Sequence, residues 1–363
     1  MTNTSLTRFA PNHPATRFHD PKHHIKLLQG DCLEILAAIP EGAVDMIFAD
    51  PPYFLSNDGV TCHAGKMVSV NKGEWDRSRG VDANHGFNRA WLAACQRVLK
   101  PNGTIWVSGT SHVIHSVGFA MQQLEFKLLN DVSWVKPNPP PNLSCRYFTH
   151  STETIIWAAK NKSSRHTFNY KLMKEINRGK QMKSVWEISP PSREEKRFGK
   201  HPAQKPVALL DRIIRAATNE GDLVLDPFLG GGTTAVAALR CARAVVGLEL
   251  ETEFVSTTLV RITNELVFVS MTACCLEIDL DLRKQSMDRS VCTGTQAMDA
   301  LNPDRLVRRE RSFYFVGSWR REVIYSVTAE NMEEAMKKFH GSAHGATEIL
   351  FVIKTETEIY LAQ

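Results

Sequence analysis

The chain has 363 residues, 43% hydrophobic and 23% charged, a balance typical of folded proteins and too apolar for extended disorder; about 150 residues per domain suggests two or three domains. No apolar run approaches the ~18 residues of a membrane span, the polar first twenty residues lack a secretory core, and eight cysteines form no Cys-x-x-Cys pair, so a membrane, secreted or disulfide-stapled protein is excluded and a cytoplasmic one expected. The net charge of +5 is uneven: fifteen Lys or Arg against six Asp or Glu lie between Asp131 and Leu210, the remainder is mildly acidic, and so concentrated an excess favours a polyanion partner.

Residues 1–24 read as a disordered arm; His13, His19, His23 and His24 lack a second ligand cluster, so no metal site is expected there. Ile25–Gly30 reads as a strand, Cys32–Ile39 as a helix, and Val44–Ala49 as a strand running into Asp50-Pro-Pro-Tyr53. Ser56–His85 reads as a mobile loop. A helix over Phe87–Leu99, stopped by Pro101-Asn-Gly103, then precedes a strand over Thr104–Ser108. A helix over Val113–Leu124 and strands near Asn130–Val135 and Thr154–Ala159 continue the alternation. Residues 137–200, rich in Pro, Asn, Lys and Arg among aromatics such as Tyr147, Phe148, Phe168, Tyr170 and Trp186, suit a surface that grips a nucleic-acid backbone, or else a small subdomain with an aromatic core. Alternation resumes with a helix over Pro206–Ala217, strand Leu223–Asp226, a glycine turn, helix Thr233–Arg240, strand Ala244–Leu248 and helix Thr252–Leu266. A linker over 267–311 leads to a small α+β appendage over 312–363, with strands at Phe313–Val316, Glu322–Val327, Ile349–Ile353 and Thr357–Ala362 and a helix at Glu330–Phe339. The expected fold is α/β, a doubly wound, mostly parallel sheet with helices on both faces.

Two motifs carry chemistry. In Leu225-Asp-Pro-Phe-Leu-Gly-Gly-Gly-Thr-Thr-Ala235 a strand ends, glycines turn the chain and a helix begins, and Glu249 stands at the end of the next strand. Glycines admit a close ligand, and such a carboxylate accepts from ribose hydroxyls, so a nucleoside-containing cofactor is indicated. The second motif, Phe48-Ala-Asp-Pro-Pro-Tyr-Phe54, also follows a strand. An exocyclic amine on an aromatic ring is a poor nucleophile because its lone pair is delocalised. The Asp50 carboxylate and Pro51 carbonyl accepting its two N–H bonds would turn that lone pair toward an electrophile. Pro51 and Pro52 stiffen the turn, and Tyr53 offers a face to a base taken out of its helix.

Together these residues resemble the S-adenosylmethionine-dependent DNA amino-methyltransferases of restriction–modification systems. With the catalytic motif first, a recognition region next and the cofactor motif last, the order resembles the β group of that family. Further matches are Gly30-Asp31, Glu74-Trp-Asp76, Thr104-Ile-Trp-Val107, Asn130-Asp131, Glu153-Thr-Ile-Ile-Trp157 and His201-Pro-Ala-Gln-Lys-Pro206; Gly231 is a mild departure from the usual glycine pattern. The resemblance covers about Ile25 to Leu266 and implies a Rossmann-like catalytic domain from 25–136 and 201–266 with target recognition in 137–200. It also implies that Asp226, Phe228, Gly230, Gly232 and Thr233 surround the cofactor's methionine part, with Glu249 on its ribose. Asp31 would contact the adenine or cap a helix. Lys205 would reach the cofactor carboxylate or make a surface contact. The implied partner is double-stranded DNA, with a homodimer as a candidate assembly and a nucleoid-associated location.

The absence of any Pro-Cys pair argues against cytosine-C5 methylation. Asp50, where cytosine-N4 enzymes often carry Ser, favours adenine N6 over cytosine N4. A nicotinamide oxidoreductase would leave Asp50-Pro-Pro-Tyr53 unexplained, and a non-catalytic DNA-binding protein on the same scaffold would not need every motif residue intact. Within the basic segment, Lys171 and Lys183 are candidate phosphate contacts. Arg146 and Arg178 are candidate base readers, because a guanidinium fork matches guanine's paired acceptors.

Overall fold

The computed structural model describes residues 13–56, 60–63, 66–69, 72–199, 201–266, 311–317, 323–329, 349–354 and 358–361. The chain divides into two compact units, Met1–Glu265 and Leu266–Gln363.

The first unit is built on a nine-stranded sheet of order β1-β2-β11-β10-β3-β6-β8-β7-β9. These strands are β1 (Thr16–Asp20), β2 (Ile25–Gln29), β3 (Val44–Ala49), β6 (Leu99–Gly109), β7 (Lys127–Val135), β8 (Thr152–Ala159), β9 (Val185–Glu187), β10 (Leu223–Asp226) and β11 (Ala244–Glu249). β2, β11, β10, β3 and β6 pair in parallel. These central strands read as continuous apolar runs because helices cover both faces; every residue of β10 and β11 is buried. β8 runs antiparallel between β6 and β7, and β9 lies parallel beside β7.

The helices are α1 (Cys32–Ala38), α2 (Val81–Val98), α3 (Ile114–Gln123), α4 (Tyr170–Ile176), α5 (Val207–Ala217), α6 (Thr233–Arg240) and α7 (residues 252–266). In α2 the buried residues Asn88, Trp91, Leu92, Cys95 and Val98 recur at three- and four-residue steps, which lays one stripe on the sheet. The chain moves outward from β3 to β6 on one side and from β10 to β11 on the other. Order therefore reverses between β3 and β10, and the crevice at their carboxyl ends is where such sheets bind ligands. Asp50 follows β3, and the glycine turn follows β10.

Several expectations need correction. The arm is not featureless: its residues Thr16–Asp20 form β1, which pairs antiparallel with β2. Ser56–His85 is only partly loop. It contains a hairpin of β4 (Val60–His63) and β5 (Lys66–Ser69), a 3-10 turn at Glu74–Asp76, and the first turn of α2. Residues 137–200 do not form one separate region, because β8 and β9 belong to the main sheet. Hydrogen bonding to β6 and β7 on both sides makes β8 an inner strand. The second unit contains an antiparallel sheet of order β13-β12-β14-β15, from β12 (Arg311–Gly317), β13 (Val323–Ala329), β14 (Ile349–Lys354) and β15 (Glu358–Leu361). The helix expected at Glu330–Phe339 and all but the end of the 267–311 linker lie outside the described residues.

Candidate active site

A cleft of about 180 Å³, open to solvent, lies at the reversal point and brings the two motifs together. Asp50, Pro51, Pro52 and Tyr53 line one half, and Gly30, Asp31, Phe228, Gly230 and Glu249 line the other.

On the first half, Asp50 Oδ1 accepts from the Tyr53 hydroxyl at 2.7 Å and from Ser108 Oγ at 2.5 Å. Its Oδ2 accepts from Lys205 Nζ at 2.5 Å. Lys205 also donates to Tyr53 Oη at 3.1 Å and to the Ala203 carbonyl at 3.3 Å, which uses its three donors. Of the two roles expected of Lys205, contact with the cofactor carboxylate or a surface contact, its position shows neither: its ammonium is buried behind Asp50 and bonded to it. Glu153 completes the cluster, with Oε2 3.1 Å from Tyr53 Oη and 3.6 Å from Lys205 Nζ, and Oε1 2.5 Å from Lys136 Nζ. Burial pushes the Glu153 carboxyl up, but the Lys205 and Lys136 charges outweigh it and hold it down to about 2. The same exchange works on Lys205, where burial is outweighed by Asp50 and Glu153 and the ammonium is raised above its ordinary value.

The turn itself is clamped by a carboxylate from the loop. Buried Asp76 accepts from the backbone N–H groups of Tyr53 at 2.7 Å, Phe54 at 2.8 Å and Leu55 at 3.2 Å, and from Ser56 Oγ at 3.0 Å. These bonds hold Phe54 at a φ of 59°, a left-handed conformation that a bulky residue rarely adopts. Beside Asp76, the Trp75 ring stacks on His201, which also meets Phe254 edge-on with ring centroids 4.3 Å apart. Burial drives His201 down to about 4, so it is neutral near pH 7.

The second half is held largely by backbone. Gly230 and Gly232 have φ of 53° and 78°, values that glycine takes without strain. Gly230 N donates to Glu249 Oε2 at 2.7 Å, and Glu251 N donates to Oε1 at 2.9 Å. Asp226 lies behind the turn, accepting from Phe228 N at 2.9 Å and Thr234 Oγ1 at 2.5 Å; burial raises its carboxyl to about 7. Thr258 donates to the Gly230 carbonyl at 2.8 Å, and Arg261 donates to the Gly231 carbonyl and to Thr233 Oγ1, so α7 braces the turn from below. Asp226, Gly232, Thr233 and Lys205 thus support the cleft rather than line it. Asp31 lines it while its Oδ1 caps α1, accepting from Leu33 N at 2.8 Å and Glu34 N at 3.3 Å.

The cleft fits S-adenosylmethionine. On the cofactor half its carboxylates Asp31, Glu249 and Glu251 suit a ligand that carries hydroxyl donors and positive charge. Pro227, Phe228, Leu248 and Phe254 supply apolar walls, and Lys72 and Arg79 are cations available to a carboxylate.

The four candidate DNA contacts are all exposed and lie outside the cleft. Arg146 stands on the loop between β7 and β8, Lys171 on α4, and Arg178 just beyond α4. Lys183 lines a separate surface hollow with Lys180, Trp186 and Arg212. The aromatics of this stretch divide: Trp186 is buried, whereas Tyr147 and Phe148 are exposed. Sequence reasoning gave no role to Ser108, Glu153, Lys136, Asp76 or His201, although three of them sit inside matched segments and Ser108 directly follows one.

This reversal-point cleft on a doubly wound sheet is Rossmann-like, and S-adenosylmethionine is the cofactor of the methyltransferase family to which the chain belongs. The family model described as DNA methylase (N6_N4_Mtase) matches residues 44–260, and the chain belongs to that family. It is 53% identical over 245 residues to the Type II methyltransferase M2.DpnII of Streptococcus pneumoniae, a match covering 67% of this chain and 91% of the relative. It is 48% identical over 237 residues to M2.MboI of Moraxella bovis, covering 65% and 87%. Among solved structures, a cytosine-N4-specific PvuII DNA methyltransferase shares the fold, with a TM-score of 0.51 and 20% identity over 68% of this chain and 92% of that one. Among the described residues, no helix is long and apolar enough to cross a membrane.

Proposed function

We propose that the protein methylates adenine N6 at a specific site in double-stranded DNA, as the modification enzyme of a restriction–modification system. The observation that carries this reading is the Asp50 cluster. Tyr53 and Ser108 occupy Oδ1, and Lys205 takes one lone pair of Oδ2. A carboxylate oxygen offers about two lone-pair directions, so Oδ2 keeps one for an incoming N–H. The Pro51 carbonyl accepts the second N–H, and the Asp76 clamp holds that carbonyl in register with Asp50. Two acceptors fixed in this way draw the N–H bonds out of the ring plane, so that the nitrogen becomes pyramidal and its lone pair, freed from conjugation with the ring, faces the cofactor half. When bound, S-adenosylmethionine supplies an electrophilic methyl group on a positively charged sulfur. Glu249 takes the ribose hydroxyls, Phe228 and Gly230 line the methionine part, and Asp226 and Thr233 hold the turn in place. Lys171 and Lys183 grip phosphates, and Arg146 and Arg178 read base edges. Work on chromosomal DNA puts the protein with the nucleoid, and a homodimer is the assembly to test by light scattering.

Names given to relatives, Type II methyltransferases, support the modification role. Sequencing the modified bases in DNA from cells expressing the chain tests the proposal. N6-methyladenine at one recurring site is expected. N4-methylcytosine would move the target to the other amino base, and unmodified DNA would refute the activity.

A further inference from the structure

Residues 137–151 lie in the connection from β7 to β8. The connection opens at Lys136, whose N–H donates to the Ser151 carbonyl at 2.8 Å. Its stem is linked to the catalytic cluster, because Lys136 pairs with Glu153 at 2.5 Å and Glu153 Oε2 lies 3.1 Å from Tyr53 Oη, whose hydroxyl donates to Asp50. On its turn and returning limb the large apolar side chains are in water: Leu143 is 40% exposed, Tyr147 61% and Phe148 95%.

Several features keep this tip from collapsing. Pro137, Pro139, Pro140 and Pro141 restrict the ascending limb. Asn142 then ties the turn, donating from Nδ2 to the Tyr147 carbonyl at 2.6 Å and accepting at Oδ1 from Ser144 N at 3.0 Å and Ser144 Oγ at 2.7 Å. Residues 137–151 include no Asp or Glu, and Arg146 adjoins the aromatic pair. A braced, acid-free tip bearing bare aromatic rings fits a polyanion with flat apolar surfaces inside it, which describes stacked DNA. The ascending limb (137–141) has five residues and the descending limb (148–151) four, a reach of up to ~15 Å from the stem.

An enzyme that works on an exocyclic base amine takes the base out of the stack and leaves a gap one base wide. Apolar side chains inserted between base steps are the recurring way to hold such distortion. We infer that Phe148, backed by Tyr147, is a wedge that enters the DNA stack beside the place vacated by the target nucleotide. The inference rests on the proposed reading of the chain as a methyltransferase acting on an extruded adenine. The stem linkage gives the wedge a fixed position relative to Asp50, so insertion and presentation of the base are one movement.

The test uses the full chain and a duplex oligonucleotide carrying the site found by base sequencing. The target adenine is paired with thymine in one probe and faces an abasic position in the other. For Phe148→Ala, methyl transfer to the paired duplex should fall at least about ten-fold, and transfer to the abasic duplex by less than about three-fold, since the second base is already loose. Phe148→Trp should keep the paired-duplex rate, and S-adenosylmethionine affinity should stay unchanged in both variants. With 2-aminopurine at the target position, fluorescence should rise on binding the wild type and not on binding Phe148→Ala. Equal losses on the two duplexes, or no loss on either, would overturn the wedge. So would loss of self-association with unchanged rates, which would assign the tip to a second copy of the chain. A wild-type protein inactive on both duplexes would instead refute the methyltransferase reading.

Discussion

The two halves of the cleft are held by different physics. The cofactor half, after β10 and β11, is a local device: a glycine turn whose N–H groups and carbonyls are satisfied by Glu249, Thr258 and Arg261. The amine half, after β3, is an assembled device, in which Asp50, Ser108, Glu153 and Lys205 come from four separate parts of the chain to form a buried, mutually compensated charge cluster. A backbone turn shapes a space for a ligand and tolerates solvent. A desolvated ion cluster fixes one carboxylate in one orientation, and loses that property when any member is removed. The division predicts that binding of the cofactor and chemistry on the base can be damaged separately.

The largest effect should come from Asp50→Ala, which is expected to abolish methyl transfer, measured with tritiated cofactor, while cofactor affinity survives within a few-fold. Lys205→Met comes next, since it leaves the Asp50 and Glu153 carboxylates buried without their shared cation. Breaking a buried pair of this kind costs about 3–5 kcal/mol, visible in denaturant unfolding, and a specific loss of cofactor affinity instead would return Lys205 to the cofactor half. Glu249→Ala should weaken S-adenosylmethionine by about 1–3 kcal/mol, read by calorimetry; unchanged affinity would remove Glu249 from the cofactor site. The smallest effect concerns pH. His201 is driven down to about 4 from an ordinary 6.5, so the unfolded chain takes up its proton first and stability drains away as pH falls through that window. His201→Phe should flatten the stability profile between those values, and an identical slope in both proteins would show that other groups set it.

The same division explains what was legible in the sequence. Strand Leu223–Asp226, the glycine turn and helix Thr233–Arg240 are contiguous, each with its own period and turn residues, and the structure repeats those boundaries. Asp50-Pro-Pro-Tyr53 was visible for the same reason. Its supports were not, because no local pattern says that Asp76 will reach back to the N–H groups of Tyr53, Phe54 and Leu55, or that Glu153 on an inner antiparallel strand will face Tyr53. Lys205 shows the limit most sharply. Its motif placed it near the cofactor pocket, but three donors consumed by Asp50, Tyr53 and Ala203 turn it to the other half. β1 escaped notice because it alternates half-buried and exposed residues at the sheet edge, without an apolar run. Residues 137–200 read as one region because composition records charge and aromatics, and it is blind to the hydrogen-bonded neighbours that make β8 part of the main sheet.

Single-turnover methyl transfer at saturating S-adenosylmethionine, run side by side on Asp50→Ala and Glu249→Ala, tests most directly whether the two halves are separable. Saturation should restore the Glu249 variant to within a few-fold of the wild-type rate and leave the Asp50 variant inactive. A Glu249 variant that stays as inactive as the Asp50 variant under saturation would contradict the account, because the cofactor half would then act in the chemical step itself.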